Sequence, residues 1–401
     1  MTQQFSKKNF PDLVDVNIAR ISTVPYFVVT QLKNQIDAIT KAGGKVTIVT
    51  SDGPELVKID SNEIVIKIIE IPRSIRPLKD LLALVKLVNF FRTNRFKIIH
   101  STTPKAGLLC AIAGFLSYVP IRLHTFTGQP WIELNGPLRW ISMSADYIIG
   151  KLSTKCYADS QSQRDFLVNT HLISPSKINV IGEGSLAGVD MERFNIHRLP
   201  ESKKSALKIK LGIKESTRVI LFVGRVTRDK GVGELFKAFD ILVREGYDIA
   251  LLLVGPLDSE HAEEPEFGAD VISLMKNVYH VGYSENPENY MAISNLLCLP
   301  SYREGFGTVV IEAAAMKLPT VGTAIYGLSD AVKNDETGKL VPPKDTLALA
   351  NALREMLDNP ELVLKMGLAA YDRCKNNFDA IKINTLLLQE YASLISQHQL
   401  K

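Results

Sequence analysis

The sequence predicts an α/β protein with two domains, each a parallel β-sheet covered by helices. Its 401 residues exceed the usual size of a single hydrophobic core, so two domains of roughly 200 residues each are expected. Short runs rich in β-branched residues alternate with longer amphipathic segments, which is typical of such sheets. The alternation restarts after a polar stretch, 195–208. We therefore expect one domain over residues 1–195 and another over 196–379, with a helix of about 380–401 that packs back on the first.

The first half contains a series of candidate strands, most of them separated by segments that fit helices. The best-marked helix, Phe27–Ala42, ends at Gly43 and Gly44, which commonly stop a helix, and a strand then begins at Lys45. The predicted strands are Val16–Thr23, Lys45–Thr50, Ile64–Ile69, Lys97–His100, Ile121–Thr125, Thr154–Ala158 and Lys177–Ile181.

The second half repeats this pattern. An apolar strand at Arg218–Gly224 precedes a helix at Val232–Glu245 and a strand at Ile249–Gly255. Ligands of open α/β sheets bind beyond the carboxyl ends of the strands, so the site is expected in a cleft between the two sheets. The remaining predicted strands are Val278–Val281, Leu296–Pro300, Thr320–Thr323 and Lys339–Val341.

Composition favours a folded protein of the cytoplasm. Hydrophobic residues make up 46% and charged residues 22% of the chain, without a low-complexity tract. The four cysteines lack metal-ligand spacing and mostly lie in apolar runs, so we expect them to be reduced core residues. The first ten residues lack the apolar stretch of a signal peptide, and the longest apolar runs, Leu81–Phe91 and Gly107–Pro120, are too short to span a bilayer.

Positive charge is concentrated in the first half, which carries a net +7 over residues 1–195 against −3 over the remainder. The segment Ile71–Lys105 is the most basic part and would suit an acceptor diphosphate or anionic lipid headgroups. Its predicted helix, Leu78–Phe91, is apolar on almost every side, which favours burial in the domain with a solvated basic edge. No nucleic-acid partner is expected. The basic residues are Arg73, Arg76, Lys79, Lys86, Arg92, Arg95, Lys97 and Lys105, against the single acid Asp80.

The segment 224–231 is the first candidate site, because it follows a strand directly and leads into a helix. Glycines at such a turn bring backbone N–H groups and a helix N-terminus toward a ligand, and Arg225 and Lys230 supply charge suited to a pyrophosphate. A basic surface loop explains the same residues equally well.

The second candidate site runs from Pro300 to Glu312, where a strand end passes through Gly305 and Gly307 into the helix Thr308–Met316. The glycines allow close backbone approach, and a carboxylate at Glu304 or Glu312 can accept hydrogen bonds from sugar hydroxyls. Each glutamate alone is explained as well by a surface position or by the helix dipole.

Taken together, these motifs resemble the retaining glycosyltransferases of the GT-B fold, specifically glycosyltransferase family 4. Glu304 and Glu312 are spaced as in that family's donor-site signature, and the segment 223–231 is similar to its phosphate loop. Gly188-Val189-Asp190 and Phe194 stand at the domain join, another familial feature. The resemblance covers nearly the whole chain and implies two Rossmann-like domains facing across a cleft.

The resemblance implies that a nucleotide-sugar donor, expected to be UDP-linked, binds the second domain. Glu312 would hold the ribose, Glu304 a hydroxyl of the transferred sugar, and Arg225 and Lys230 the pyrophosphate, with retention of anomeric configuration and no metal or other cofactor. Further donor contacts are implied for Gly224, Gly305, Phe306, Gly307 and Thr308.

The segments 103–108 and 122–128 are similar to bacterial enzymes that extend lipid-linked capsule, O-antigen or glycan-precursor oligosaccharides. This implies an acceptor on undecaprenyl diphosphate. The charges of Lys105, Arg73 and Arg76 would suit its phosphates, and the pairing of basic and apolar residues in their segment motivates a second hypothesis, contact with anionic inner-membrane lipid. His124, at the end of an expected strand, would hydrogen-bond the transferred sugar, or serve as a core histidine. A nucleotide-sugar epimerase and a non-catalytic subunit that binds sugar nucleotides remain alternatives.

Overall fold

The computed structural model describes residues 13–59, 63–257 and 269–399. The chain divides into two compact units, one of residues 1–188 with 380–401 and the other of residues 189–379, whereas the sequence placed the boundary at 195/196. The segment at the start of the chain, for which no signal peptide was predicted, lies outside the described ranges, as do the last two residues of the predicted C-terminal helix.

The first unit is built on a parallel sheet of seven strands within its described residues, in the order β3-β2-β1-β4-β5-β6-β7. Most of these strands are buried, and each predicted strand of the first half is present with ends shifted by at most two residues. The strands are β1 (Asn17–Ile21), β2 (Lys45–Thr50), β3 (Ile64–Ile68), β4 (Ile98–Thr102), β5 (Ile121–Phe126), β6 (Lys155–Ala158) and β7 (Ile178–Val180).

Helices cover both faces of this sheet. The predicted helix 27–42 is a composite, because a π-helical turn at Val28–Leu32 separates two α-helical pieces. The helices are α1 (Pro25–Phe27), α2 (Lys33–Lys41), α3 (Pro77–Asn94), α4 (Pro104–Leu116), α5 (Gly136–Leu152) and α6 (Gln161–Asn169).

The second unit has a parallel sheet of six strands in the part of it that is described, in the order β10-β9-β8-β11-β12-β13. A single large core of aliphatic and aromatic residues lies on its two faces. The elements are α7 (Glu201–Leu211), β8 (Arg218–Val223), α8 (Val232–Arg244), β9 (Ile249–Val254), α9 (Ala269–Leu274), β10 (Val278–His280), α10 (Pro287–Met291), β11 (Leu296–Leu299), α11 (Thr308–Ala315), β12 (Thr320–Thr323), α12 (Leu328–Ala331), β13 (Gly338–Val341), α13 (Thr346–Asp358) and α14 (Pro360–Asn377).

The last helix, α15 (Ala380–Gln399), belongs to the first unit. Its Tyr391 is fully buried, and the hydroxyl accepts a hydrogen bond from the Arg20 guanidinium at 3.0 Å and lies 2.6 Å from Nδ1 of His100. Because an unpaired buried guanidinium is costly, this network ties α15 to β1 and β4.

The expectation that helix 78–91 is buried is wrong. Only three residues of α3 are buried, namely Ala83, Leu87 and Phe91, while Leu78, Leu81, Leu82 and Val85 are exposed. Burial was inferred because the helix is apolar all round, but α3 covers the sheet with one narrow face only. The four cysteines are buried free thiols, as predicted.

Candidate active site

The loop after β8, the 224–231 loop, is held by glycines in conformations that other residues rarely adopt. Gly224 (φ 152°) leaves the strand and Gly231 (φ 68°) precedes α8. A Cβ atom at Gly231 would lie 2.0 Å from the carbonyl oxygen of Pro300. The loop therefore reaches the end of β11 only because residue 231 has no side chain.

An ion pair between Lys230 and Glu304 joins this loop to the segment after β11, the 301–307 loop. The Lys230 Nζ lies 2.6 Å from Oε1 of Glu304, and the Ser301 hydroxyl donates to the same oxygen at 2.9 Å. The two charged side chains are only 18% and 15% exposed. Because partial burial limits screening by water, this pair interacts more strongly than an ion pair on the open surface.

Asp229 organises the cations of the site, a role that the sequence analysis missed. Its carboxylate accepts a hydrogen bond from the Thr227 hydroxyl and lies 3.5 Å from Nη2 of Arg303 and 3.9 Å from Nη2 of Arg225. Burial alone would raise the pKa of Asp229, but the Thr227 hydrogen bond and the charges of Lys230, Arg225 and Arg303 outweigh it and lower that pKa. Asp229 is thus an anion that orients two arginines.

Arg303 is a further cation that the sequence analysis left without a role. It is 25% exposed and stands next to Glu304, so it shares the 301–307 loop with the predicted carboxylate. The only signal in the sequence was this adjacency. Its ion pair with Asp229 could not be read from spacing, because the partner lies on the other loop.

The remaining donor residues of the 301–307 loop contribute chiefly backbone. Gly307 (φ 87°) is the N-cap of α11 and offers no side chain to cap it, whereas Thr308 follows in a partly exposed position. Phe306 is buried, with its ring packed edge-on against Phe378 at 5.1 Å between centroids. The structure thus places the Phe306 ring in the core. Gly305 is buried and packs against Gly327. A Cβ atom added at Gly327 would lie 2.7 Å from the Gly305 carbonyl oxygen.

Glu312 lies on α11, one helical turn beyond the loop, and is partly buried. Burial raises the pKa of this carboxyl to about 7, Arg193 opposes the shift and Glu288 adds to it. Arg193 itself is ion-paired with Glu288 at 3.0 Å. Glu312 therefore changes its charge near neutral pH, which spacing alone did not indicate.

His124 is buried inside the first unit. Its Nδ1 lies 2.9 Å from the Ser101 hydroxyl, and α4 packs so closely on the ring that a Cβ at Gly107 would lie 2.3 Å from its Cε1 atom. Burial lowers the pKa of His124 to about 3, so the ring is neutral. This geometry is that of a core histidine, and a contact with the transferred sugar stays a prediction.

The predicted acceptor residues gather where the segment before α3 meets the first turn of α4. Lys105 Nζ forms an ion pair with Asp80 at 2.8 Å and donates to the Ser74 carbonyl, while Arg73 and Arg76 are exposed nearby in the sequence. The Arg76 N–H donates to Asp80 at 3.0 Å. Contact of these side chains with an acceptor stays a prediction.

The second unit thus brings three cations, Arg225, Lys230 and Arg303, into contact with the carboxylates of Asp229 and Glu304. Binding of a diphosphate by these cations stays a prediction. In the part of the chain that the structure describes, no group of three or more His, Cys, Asp or Glu side chains is placed to hold a metal ion. No helix in the described ranges is long and apolar enough to cross a bilayer.

Family models match both units. The model "Glycosyltransferase Family 4" matches residues 28–185, and "Glycosyl transferases group 1" matches residues 203–373. The chain is 32% identical to the capsular polysaccharide biosynthesis glycosyltransferase CapM of Staphylococcus aureus, over 87% of this chain and 90% of CapM. It is 26% identical to the UDP-Gal:α-D-GlcNAc-diphosphoundecaprenol α-1,3-galactosyltransferase of Escherichia coli, over 77% and 79% of the two chains.

Solved structures share the fold at lower identity. Sucrose-phosphate synthase from Thermosynechococcus elongatus superposes with a TM-score of 0.79 at 22% identity, over 95% of this chain and all of the other. Anabaena Alr3699/HepE, in complex with UDP and glucose, gives a TM-score of 0.79 at 18% identity, over 94% of this chain and all of HepE. With two Rossmann-like units and these relatives, the chain belongs to glycosyltransferase family 4 and has the GT-B fold.

Proposed function

We propose that this glycosyltransferase moves a hexose or N-acetylhexosamine from a UDP-linked sugar to a saccharide carried on undecaprenyl diphosphate, with retention of anomeric configuration. Two of its relatives support this donor and acceptor. One is named for capsular polysaccharide biosynthesis, and the other for galactose transfer from UDP-Gal to a diphosphoundecaprenol-linked sugar. The UDP complex of HepE supports the nucleotide.

The observation that carries the proposal is the Lys230–Glu304 contact of 2.6 Å. A lysine suited to a diphosphate and a carboxylate suited to a sugar hydroxyl meet in one place, and a nucleotide sugar carries both groups side by side. The neighbouring Asp229 holds Arg225 and Arg303 in place, so the positive charge is preorganised before the donor arrives.

In the proposed complex, Lys230, Arg225 and Arg303 hold the diphosphate. Glu304 accepts a hydrogen bond from a hydroxyl of the transferred sugar, and Glu312 accepts hydrogen bonds from the ribose. Neither glutamate is a nucleophile. The backbone N–H groups at the start of α11, which follows the N-cap Gly307, add donors to the phosphate.

The reaction is proposed as a same-face displacement. The bond between the anomeric carbon and the β-phosphate oxygen breaks, the acceptor oxygen bonds to that carbon from the same face, and its proton passes to the departing phosphate oxygen. Cations fixed beside the diphosphate stabilise the negative charge that develops there. Because three basic side chains meet this need, we propose that the reaction requires no metal ion.

The acceptor side of the proposal rests on the first unit. Lys105, Arg73 and Arg76 form a basic group at the start of α3 and α4 that suits a lipid diphosphate. The enzyme would then work at the cytoplasmic face of the inner membrane.

The test is product analysis with a panel of UDP-, GDP- and ADP-sugars and a synthetic polyprenyl-diphosphate saccharide, with and without chelator. Transfer that needs the acceptor, withstands the chelator and yields the donor's anomeric configuration by NMR supports the proposal. Conversion of the donor sugar without acceptor would favour an epimerase. Donor binding without any turnover would favour a non-catalytic subunit.

A further inference from the structure

The 189–194 turn opens the second unit and carries Asp190 and Phe194 of the motif at the domain join, to which the proposed reaction gives no role. The Asp190 carboxylate accepts hydrogen bonds from the N–H groups of Glu192 and Arg193, each at 3.0 Å. The Phe194 N–H donates to the Asp190 carbonyl oxygen at 2.9 Å, and the Arg193 guanidinium lies 5.0 Å from the centre of the Phe194 ring. The motif therefore holds both the backbone and the guanidinium of Arg193 in place.

The Arg193 guanidinium binds Glu288 on α10. Its Nε and Nη2 atoms lie 3.3 and 3.0 Å from Oε2 of Glu288, and Nη2 also donates to the Glu285 carbonyl oxygen at 2.6 Å. The Glu288 side chain is only 16% exposed, so water screens its charge less than that of a carboxylate on the open surface. Removal of either member of this ion pair would leave the other charge uncompensated.

Two contacts place the turn and its ion pair beside α11, which carries Glu312. The Cys374 Sγ lies 3.7 Å from the Met191 Sδ and 3.3 Å from the carbonyl oxygen of Ile311, the residue before Glu312. Helix α10, which carries Glu288, packs on α11. The turn and its ionic partner thus reach the helix of the predicted ribose ligand from two sides.

The charges of this ion pair act on Glu312 in opposite directions. Burial raises the pKa of the Glu312 carboxyl to about 7, Arg193 lowers that pKa, and Glu288 raises it further. Burial raises the pKa of the neighbouring Cys374 thiol to about 12, so this thiol is uncharged near neutrality. The other ionisable side chains that are at least partly buried on elements packed against α11 are Tyr290 on α10, Cys298 on β11, Asp330 on α12, and Tyr371 and Arg373 on α14.

We propose that the 189–194 turn is a positioning element of the donor site, which holds Arg193 on Glu288 so that this ion pair sets the charge of Glu312. The inference rests on the proposed contact of Glu312 with the ribose. Arg193 favours the carboxylate and Glu288 opposes it, and both act through Glu312 rather than on the donor. Removal of the two members should therefore shift Glu312 in opposite directions, whereas loss of a merely structural ion pair would act alike in both variants.

Carbon-13 NMR of the carboxyl groups tests the proposal without a donor. Glutamate labelled at Cδ is incorporated into the full chain, and Glu312→Gln identifies the Glu312 signal. Arg193→Gln should raise the pH at which this signal titrates by about one unit, because a positive charge is lost and Glu288 is left uncompensated. Glu288→Gln should lower that pH by about one unit, because the charge of Arg193 is then uncompensated. Arg193→Lys keeps the charge and should titrate close to wild type.

The matched control is the Arg354–Glu245 ion pair of 2.6 Å, which joins α13 to the end of α8 rather than to α11. Arg354→Gln and Glu245→Gln should leave the Glu312 titration unchanged. Circular dichroism checks that each variant is folded. Glu288→Gln and Arg193→Lys still decide the question if Arg193→Gln does not fold.

Donor titration gives the second arm of the test. At about pH 7 the ionised fraction of Glu312 should fall from about a half to about a tenth in Arg193→Gln, so Kd should rise about fivefold. In Glu288→Gln, Kd should fall about twofold, and the three proteins should converge by about pH 9, where Glu312 is ionised in each.

The two arms separate this inference from the proposed function. Opposite shifts of the Glu312 signal in Arg193→Gln and Glu288→Gln support the inference even if no donor binds, a result that would refute the donor assignment alone. Shifts in the same direction, or an unchanged Glu312 signal in both variants, would overturn the inference even if a donor binds tightly.

Discussion

The Nζ of Lys230 and the Oε1 of Glu304 lie 2.6 Å apart, although 74 residues separate them in the sequence. The contact ties the loop after β8 to the loop after β11, the two central strands of the second sheet. A donor diphosphate that binds near Lys230 would interact with the same ammonium group that now pairs with Glu304. The pair therefore sets the position of both groups before a donor binds.

Lys230→Ala should lower turnover by about 10²–10³-fold, because one preorganised charge on a developing oxyanion contributes about that much. Steady-state kinetics with the identified donor measures the effect, and circular dichroism checks that the variant is folded. Lys237→Ala, an exposed lysine seven residues further on in α8, is the matched control and should keep wild-type turnover. A folded Lys230→Ala enzyme with unchanged turnover would remove this residue from the mechanism.

Gly231→Ala should destabilise the protein and impair donor binding together. The substitution places a Cβ 2.0 Å from the Pro300 carbonyl oxygen at a left-handed φ of 68°, so the 224–231 loop must shift. Gly212→Ala has a similar φ of 75° but meets nothing within 4 Å, so it measures the conformational cost alone, about 1–2 kcal/mol. Thermal unfolding should show a larger loss of stability for Gly231→Ala than for Gly212→Ala. Equal losses of stability in the two variants would argue against the close approach of residue 231 to the Pro300 carbonyl oxygen.

Donor affinity should rise with pH across neutrality. Burial raises the pKa of Glu312 to about 7, and the ionised carboxylate is the better acceptor for ribose hydroxyls. The competent fraction grows from about a tenth at one pH unit below that value to about nine tenths at one unit above, so Kd should fall about tenfold. Calorimetry over this range measures it.

Glu312→Gln should flatten that pH dependence. The Glu312 carboxyl affects the free energy of unfolding in the opposite direction. Its pKa in the folded protein is above the ordinary 4.5, so the folded state favours the protonated form. The stabilisation that follows is complete below pH 4.5 and is lost as the pH rises through about 7. Denaturation of wild type and variant across this window separates the two effects. A wild-type Kd that is constant with pH would exclude the ionised Glu312 from the donor contact.

His124→Ala should lower the free energy of unfolding by about 2 kcal/mol or more, because it leaves a cavity under α4 and removes one of the two hydrogen-bond partners of the Ser101 hydroxyl, which keeps the Leu123 carbonyl oxygen. The exposed His197→Ala is the control and should unfold like wild type. Urea denaturation measures stability, and kcat is then compared for folded protein. A His124→Ala variant with wild-type stability and a turnover lowered about a hundredfold would support a catalytic role for His124.

The strands of both sheets could be predicted because buried parallel strands are short, apolar and β-branched. β2 and β12 match to the residue. The π-helical turn at Val28–Leu32 had no such signal, since the residues of a π-helix resemble those of an α-helix. The prediction that α3 is buried was wrong. Apolar residues on every side of a helix do not show how many of its faces the rest of the chain covers.

The candidate site was predictable only in part. Glycines, a lysine and two glutamates stand out by their position after strands, whereas Asp229 and Arg303 acquire a role through a contact between loops. Glu312 shows the same limit, since its raised pKa depends on burial and on Arg193 and Glu288 from distant segments. Spacing along a chain cannot show which charges the fold brings together.

The most direct test is calorimetric titration of wild type, Lys230→Ala and Glu304→Gln with UDP-, GDP- and ADP-sugars. We expect wild type to bind one UDP-sugar tightly and both variants to lose this affinity, whereas Lys237→Ala should keep it. Binding that is unchanged in both variants, or no binding of any donor by the wild type, would contradict the assignment of the donor to these two residues.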